Sequence, residues 1–210
     1  MARTLRDILD AAANGVFPPP DGRTTVVPQP SPRDAGVLSF TAHSVVFTDE
    51  DPEWVHETLR KADCDALAAT MNARFLTALL DRTGRRHETI DALLVAAPLP
   101  GGPPPELSEI TDPAHSRVAY ARGRREDVRV WAARGGVVVL GRGVAGRLEV
   151  SVEVDADVRH RGLGRRLVAA ARQLVDEPLW AQVAPGNARS ARAFQAAGYL
   201  PVGAEALLLP

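Results

Sequence analysis

At 210 residues the chain has length for one large domain or two small ones with a buried core. Its 45% apolar and 24% charged content is that of an ordinary soluble globular protein, and a net charge of -1 gives no support for a nucleic-acid or membrane surface as partner. One cysteine, Cys64, excludes an internal disulfide, and Arg6, Asp7 and Asp10 interrupt any apolar core of a signal peptide. The expectation is a soluble, cytoplasmic protein with no membrane-spanning run. Basic side chains are almost all arginine, Lys61 being the sole lysine, a bias better explained by genome composition than by an anion-binding face.

In chain order, Thr4 to Asn14 reads as a short amphipathic helix, capped by Thr4, with Leu5, Ile8, Leu9 and Ala12 on one face. A proline-rich arm follows, with RTTVV as an edge strand, and residues 1–35 are expected to be arm rather than domain. GVLSF and HSVVF read as strands. Asp51 and Pro52 open a helix, Phe75 to Leu80 lie in a second helix ending near Gly84, and IDALLVAA is a buried strand. Residues 36–115 thus form an α/β half without a glycine-rich phosphate turn. It ends in the linker candidate PLPGGPPPELSEITDP. Within residues 116–210, SRVAYAR, DVRVWAA and GVVVLGR read as an antiparallel meander, and YLPVGAEALLL as one or two closing strands.

The stretch from Leu148 to Val175 is the most informative. LEVSVEV alternates as a strand, and GRRLVAAARQLV repeats Leu163, Leu167, Leu174 and Val175 at helical spacing. RHRGLG therefore stands where a strand becomes a helix. There, free N–H groups and the positive dipole end meet Gly162 and Gly164, which leave the backbone open to an anion. Arg159, Arg161, Arg165 and Arg166 add positive charge. A pyrophosphate cradle and a plain tight turn with solvated arginines both fit this pattern. Neither GxGxxG nor GK(S/T) is present.

Beyond LWAQV, the run PGNARSARAFQAAGY has Asn187 as helix cap, Ala191, Phe194 and Ala197 as an apolar stripe, and Gly198 as the closing residue. The pair of stretches resembles the two cofactor motifs of the GNAT N-acetyltransferase superfamily. Arg159, Gly162 and Gly164 match (Q/R)xxGxG, and Asn187, Ser190, Phe194, Gly198 and Tyr199 match NxxSxxxFxxxGY. The first half matches only in element order. It is either the opening of such a domain or a degenerate companion half.

The resemblance implies an α/β (α+β) GNAT fold: a mixed, mostly antiparallel sheet with helices on both faces and a splay between its fourth and fifth strands. It implies acetyl-CoA as co-substrate; no metal is expected, on the spacing of the histidines. Backbone groups of Val152 and Val154 would pair with the pantetheine arm. The N–H groups from Arg161 through Gly162, Leu163, Gly164 and Arg165 to Arg166, with Arg159 nearby, would hold the pyrophosphate. Asn187, Ala191 and Phe194 would line the thioester end. The partners would be acetyl-CoA and an amine acceptor, with no nucleic acid or membrane, in a monomer or homodimer.

Proton handling departs from the family pattern. Phe194 stands where many members place a tyrosine acid, and Leu148 where several place a glutamate base. Glu149 and Glu153 are the catalytic candidates on the strand. Glu149 reaches the productive face only through a register shift. The alternative reading of Glu149, Ser151 and Glu153 is a polar row facing a neighbouring helix or wet cleft. The histidines, His43, His56, His87, His115 and His160, have no metal-ligand spacing. The leading expectation is transfer of an acetyl group to a primary amine, of a small molecule in preference to a protein. The alternative is a CoA-binding module without catalysis.

Overall fold

Short polar residues ahead of apolar stripes set the helix starts. In α1 (Leu5–Ala13) the Thr4 hydroxyl accepts from the Asp7 N–H and the Asp7 carboxylate from the Thr4 N–H, so two orphan donors are satisfied reciprocally. Asp51 caps α2 (Pro52–Ala62), with Pro52 at its first position. Asn72 caps α3 (Ala73–Thr83), which closes on Gly84 at φ 66°. The computed structural model describes every residue except 1, 2, 105, 112–115 and 124. It divides into two units, residues 1–93 with 202–210, and residues 94–201.

The first unit contains β1 (Thr24–Val27), β2 (Ala35–Phe40), β3 (His43–Phe47), most of β4 (Arg86–Ala96) and most of β10 (Leu200–Leu209). Their order is β1-β3-β2-β10-β4. β2 pairs antiparallel with both β3 and β10, whereas β1 runs parallel to β3. One sheet face carries Ala35, Val37, Val46, Ala206 and Leu208, packed with Val55 of α2 and Phe75, Leu76 and Leu79 of α3. The closing segment is a single strand, and its residues from Val202 onward belong to this unit.

The second unit holds β5 (Ser108–Ile110), α4 (Ser116–Arg122), β6 (Glu126–Ala133), β7 (Gly136–Arg142), β8 (Leu148–Val154), α5 (Leu163–Ala171), β9 (Leu179–Val183) and α6 (Ala188–Ala196). Its strand order is β9-β8-β7-β6-β5. The pairings are antiparallel except β8 with β9. Val118 and Ala121 of α4 pack on Val130, Val137 and Val139. Leu167 of α5 lies against Gly136, on the opposite face by strand alternation. The sheet is thus mixed, mostly antiparallel, and covered by helices on both faces.

Three expected elements differ. SRVAYAR forms α4 and not a strand: Val118 and Ala121 are three apart, a spacing that only a helix presents to one face of the sheet. Part of the expected linker, SEI, is β5, paired with β6. The helix after the glycine turn ends at Ala171, where the N–H groups of Arg172, Gln173 and Leu174 tighten to i–3 acceptors, so Leu174 and Val175 lie beyond it. The expected division at residue 115 falls on His115, outside the described residues, while the two units divide at Leu93/Leu94 and Pro201/Val202.

In the first unit burial, and secondly the charge of Glu205, pushes the Asp91 carboxyl up to about 6, against a smaller lowering by His87. The folded chain therefore holds this proton more tightly than the unfolded chain. The contribution favours folding at low pH and is lost as pH rises through about 6. Asp91→Asn should make the chain more resistant to urea than wild type above that pH and equal to it in acid. Urea midpoints measured across the range check this, and identical pH profiles would refute it.

Candidate functional site

The site is built on the parting of β8 and β9. They pair in parallel with one register position, Glu149 opposite Trp180, yet β8 continues to Val154 and β9 to Val183. On its other side β8 is laddered to β7 along its whole length, from Leu148 opposite Arg142 to Val154 opposite Gly136. The Asp155 N–H donates to Gly135 O, so the odd-numbered residues turn their backbone groups to β7. Val152 and Val154 consequently turn theirs into the gap beside β9. This is the edge expected to meet an extended ligand arm, and both predicted valines lie on it.

The far end of the gap is the turn from Arg159 to Arg166. His160 has φ 66° and Gly162 has φ 77°, two left-handed residues on either side of Arg161 that fold the chain sharply into α5. Gly162 caps the helix with no side-chain acceptor, and the first intrahelical bond is from the Arg166 N–H to Gly162 O, 3.2 Å. The N–H groups of Leu163, Gly164 and Arg165 have no acceptor within the helix, as first-turn groups never do. A side chain at Gly164 would touch only Val154 Cγ2 at 3.5 Å, an ordinary contact. Its bareness is therefore not demanded by the protein's own packing.

Arg161, Arg165 and Arg166 are exposed around this turn. Arg159 Nε donates to Val154 O at 3.1 Å, and Arg166 Nη1 to Arg161 O at 3.2 Å. Guanidinium groups only donate, so they cannot cap the free N–H groups; they crowd positive charge around them. Such a turn is complementary to an anion. A glycine pair absent from the sequence reading supports this arrangement. At Gly135 and Gly136 any side chain would collide with Val158 and Leu167, so their bareness lets the turn and α5 close onto the sheet.

The other predicted residues are distributed unevenly. Asn187 is exposed and caps α6, its side-chain oxygen accepting from the Ser190 N–H at 3.1 Å. Ala191 is half-buried. Phe194 is buried edge-on against Tyr199, with ring centroids 5.0 Å apart. Glu149 and Glu153 are four residues apart, on the order of 13 Å along the strand. Glu153 is half-buried, and Ser151, on the same face, is exposed.

Glu149 is 4% exposed, and both its oxygens are engaged: Oε1 by Arg147 Nε at 2.8 Å and Oε2 by Arg125 Nε at 3.1 Å. Arg125 also donates to Ser151 Oγ at 3.2 Å, and the buried Arg147 guanidinium stands 5.6 Å from the Trp180 ring centroid. A side chain at Gly143 would overlap the carboxylate. Glu149 thus sits where the strands begin to part, as an anchor with occupied oxygens and not as an open proton acceptor. Arg125 and Arg147 were invisible to motif reading, because they precede the strands whose geometry they hold.

The parallel pair of β8 and β9 thus opens beside an arginine-ringed helix start. Residues 104–199 match the model of the Acetyltransferase (GNAT) family. By that match these residues are a GNAT acetyltransferase domain, and the N-terminal half is left uncovered. Among solved structures, similarity is found to a GNAT-family protein of Novosphingobium aromaticivorans DSM 12444 (20% identity, TM-score 0.44, 60% of this chain and 67% of the other). A GCN5-related N-acetyltransferase from Kribbella flavida gives 18% identity and a TM-score of 0.41 over 85% of this chain and 89% of the other. A tandem GNAT protein from the clavulanic acid biosynthesis pathway gives 14% and 0.36 over 64% and 57%. At such TM-scores these likenesses carry none of the assignment. No match is found among curated protein sequences. Among the described residues, no cluster of three or more His, Cys, Asp or Glu is placed to hold a metal ion, and no helix is long and apolar enough to cross a membrane.

Removing the Glu149 carboxylate leaves two guanidiniums, one fully buried, without their shared anion. Glu149→Ala should cost about 3–5 kcal/mol of folding stability, the usual consequence of breaking a buried ion pair. Equilibrium urea unfolding measures it, and a loss below about 1 kcal/mol would show that the cluster is not the anchor described.

Proposed function

We propose that the second unit binds acetyl-CoA and transfers its acetyl group to a primary amine by direct attack in a ternary complex. One observation carries the reading. The gap-facing backbone of Val152 and Val154 leads into the free N–H groups of Leu163, Gly164 and Arg165, so one extended ligand meets both. The turn would hold the diphosphate through main-chain N–H groups, with Arg159, Arg161, Arg165 and Arg166 neutralising its charge. Val152 and Val154 would pair with the pantetheine amides as an added strand.

The bound thioester supplies an electrophilic carbonyl and a stable thiolate leaving group. Amine nitrogen attacks that carbon, the carbon–sulfur bond breaks, and the thiolate takes up a proton. A gap-facing N–H of β8, from Val152 or Val154, is suited to the oxyanion. Glu149 is committed to its arginines and Glu153 lies far along the strand from the parting point. The amine therefore sheds its proton to water, and alignment of the reactants provides the acceleration, up to about 7–11 kcal/mol. A small-molecule amine and a cytoplasmic setting belong to the same proposal, the latter from composition and the single cysteine.

A second reading, a CoA-binding module without turnover, is favoured by Phe194. It is packed into the core where a proton donor would be needed. A panel of amines assayed for release of free thiol separates the two: turnover excludes the module, and binding without turnover excludes the transferase. In the transferase case the rate should rise about tenfold per pH unit below the acceptor's own amine pKa, with Glu153→Gln retaining activity within about tenfold of wild type, whereas a general base would contribute about 10²–10⁴-fold. Calorimetric titration with acetyl-CoA tests the shared premise. Gly164→Glu, which places bulk and negative charge in the turn, should abolish binding while leaving the unfolding midpoint near that of wild type. Unchanged affinity would remove the cradle from the assignment.

A further inference from the structure

The first unit carries a polar constellation unrelated to the coenzyme gap. His43, at the start of β3 and 7% exposed, has Nδ1 2.8 Å from Asp21 Oδ1 and Nε2 3.0 Å from Thr25 Oγ1. An ionised carboxylate only accepts, so the hydrogen of the neutral ring lies on Nδ1. Nε2 is then the acceptor of the Thr25 hydroxyl hydrogen. A base oriented by a carboxylate and bonded to a hydroxyl is the arrangement that activates a nucleophile.

Its supports are built in. Asp21 Oδ1 also accepts from the Arg23 N–H at 3.0 Å, which fixes the carboxylate. The Gly22 N–H donates to Ala42 O and the Ser44 N–H to Arg23 O, tying the loop to the turn between β2 and β3. The hydrogen bond from His43 holds the Asp21 carboxyl below its ordinary range, as expected of an ionised partner. Thr25 is half-buried, and β1 ends the strand order of its unit. Arg23 O accepts from the Ser44 N–H of β3 and Val27 O from the Thr48 N–H just beyond it, so residues 23, 25 and 27 turn their backbone groups inward. The N–H groups of Thr24 and Val26 face the open edge, on either side of the hydroxyl. The Val26 N–H is the group that follows the nucleophile, a position from which an oxyanion can be held.

We propose that Thr25 Oγ1 is an activated nucleophile that takes an acyl group from an activated ester or thioester, with His43 as base and Asp21 as its orienting residue. In this step an Oγ1–carbonyl bond forms and the bond to the leaving group breaks. The hydroxyl proton passes to His43 Nε2 and then to the departing alkoxide or thiolate. Attack by water, deprotonated by the same nitrogen, releases the acid and restores Thr25.

The 210-residue chain, without CoA, is incubated with p-nitrophenyl acetate. Nitrophenolate release is followed, and rapidly quenched samples are mapped by mass spectrometry. An acetyl group on Thr25, absent in Thr25→Val and present in Thr25→Ser, is the expected result. His43→Gln should slow its appearance by about 10²–10⁴-fold, the usual contribution of a general base. Asp21→Asn, which disturbs the loop less, should slow it as well. Absence of acetyl on Thr25, acetylation confined to Lys61 or the N-terminus, or undiminished rates in both His43→Gln and Asp21→Asn would each overturn the proposal.

Discussion

The parting of β8 from β9 is the constraint on which the chemistry proposed for the second unit depends. Two parallel strands that start in register would continue to pair unless something else occupied the backbone groups between them. Here the pairing stops after Glu149 opposite Trp180, and the cluster of Arg147, Glu149 and Arg125 pins that last shared position. Arg147 is buried beside the Trp180 ring, so the same guanidinium grips the carboxylate of one strand and the aromatic face of the other. A buried ion cluster is costly to assemble and costlier to break, which makes it a sound place to end a ladder.

From that fixed point the geometry of the gap follows. β8 keeps β7 on one side and offers Val152 and Val154 on the other. A few residues later, left-handed backbone at His160 and Gly162 turns the chain into α5 with three N–H groups uncapped. Glycines at 135 and 136 let α5 approach the sheet closely enough for the turn to stand at the end of the gap. None of this requires a catalytic side chain, in keeping with the proposed transfer, in which holding two reactants in line does most of the work.

Much of the chain was legible because its local signals agree with one another. Caps at Thr4, Asp51 and Asn187, and stops at Gly84 and Gly198, put helices within a residue or two of where they form. SRVAYAR was misread because seven residues are too few for a strand and a helix pattern to be told apart, and the packing of Val118 and Ala121 on Val130 and Val139 selects the helix. Glu149 was legible as a strand residue but not as an anchor, since its partners come from Arg125, 24 positions away, and from Arg147 in the preceding loop.

By itself the sequence determined the strand, the glycine turn and the two helix starts around the candidate site, because backbone conformation and free N–H groups depend on neighbours a few residues apart. Tertiary structure decided where β8 and β9 separate, which carboxylate is bound to which guanidinium, and that the last strand returns to the first unit. It also decided that Asp21, Thr25 and His43 meet. Those are pairings between segments far apart in the chain, and their free energy comes from burial and ladder formation that no local pattern records.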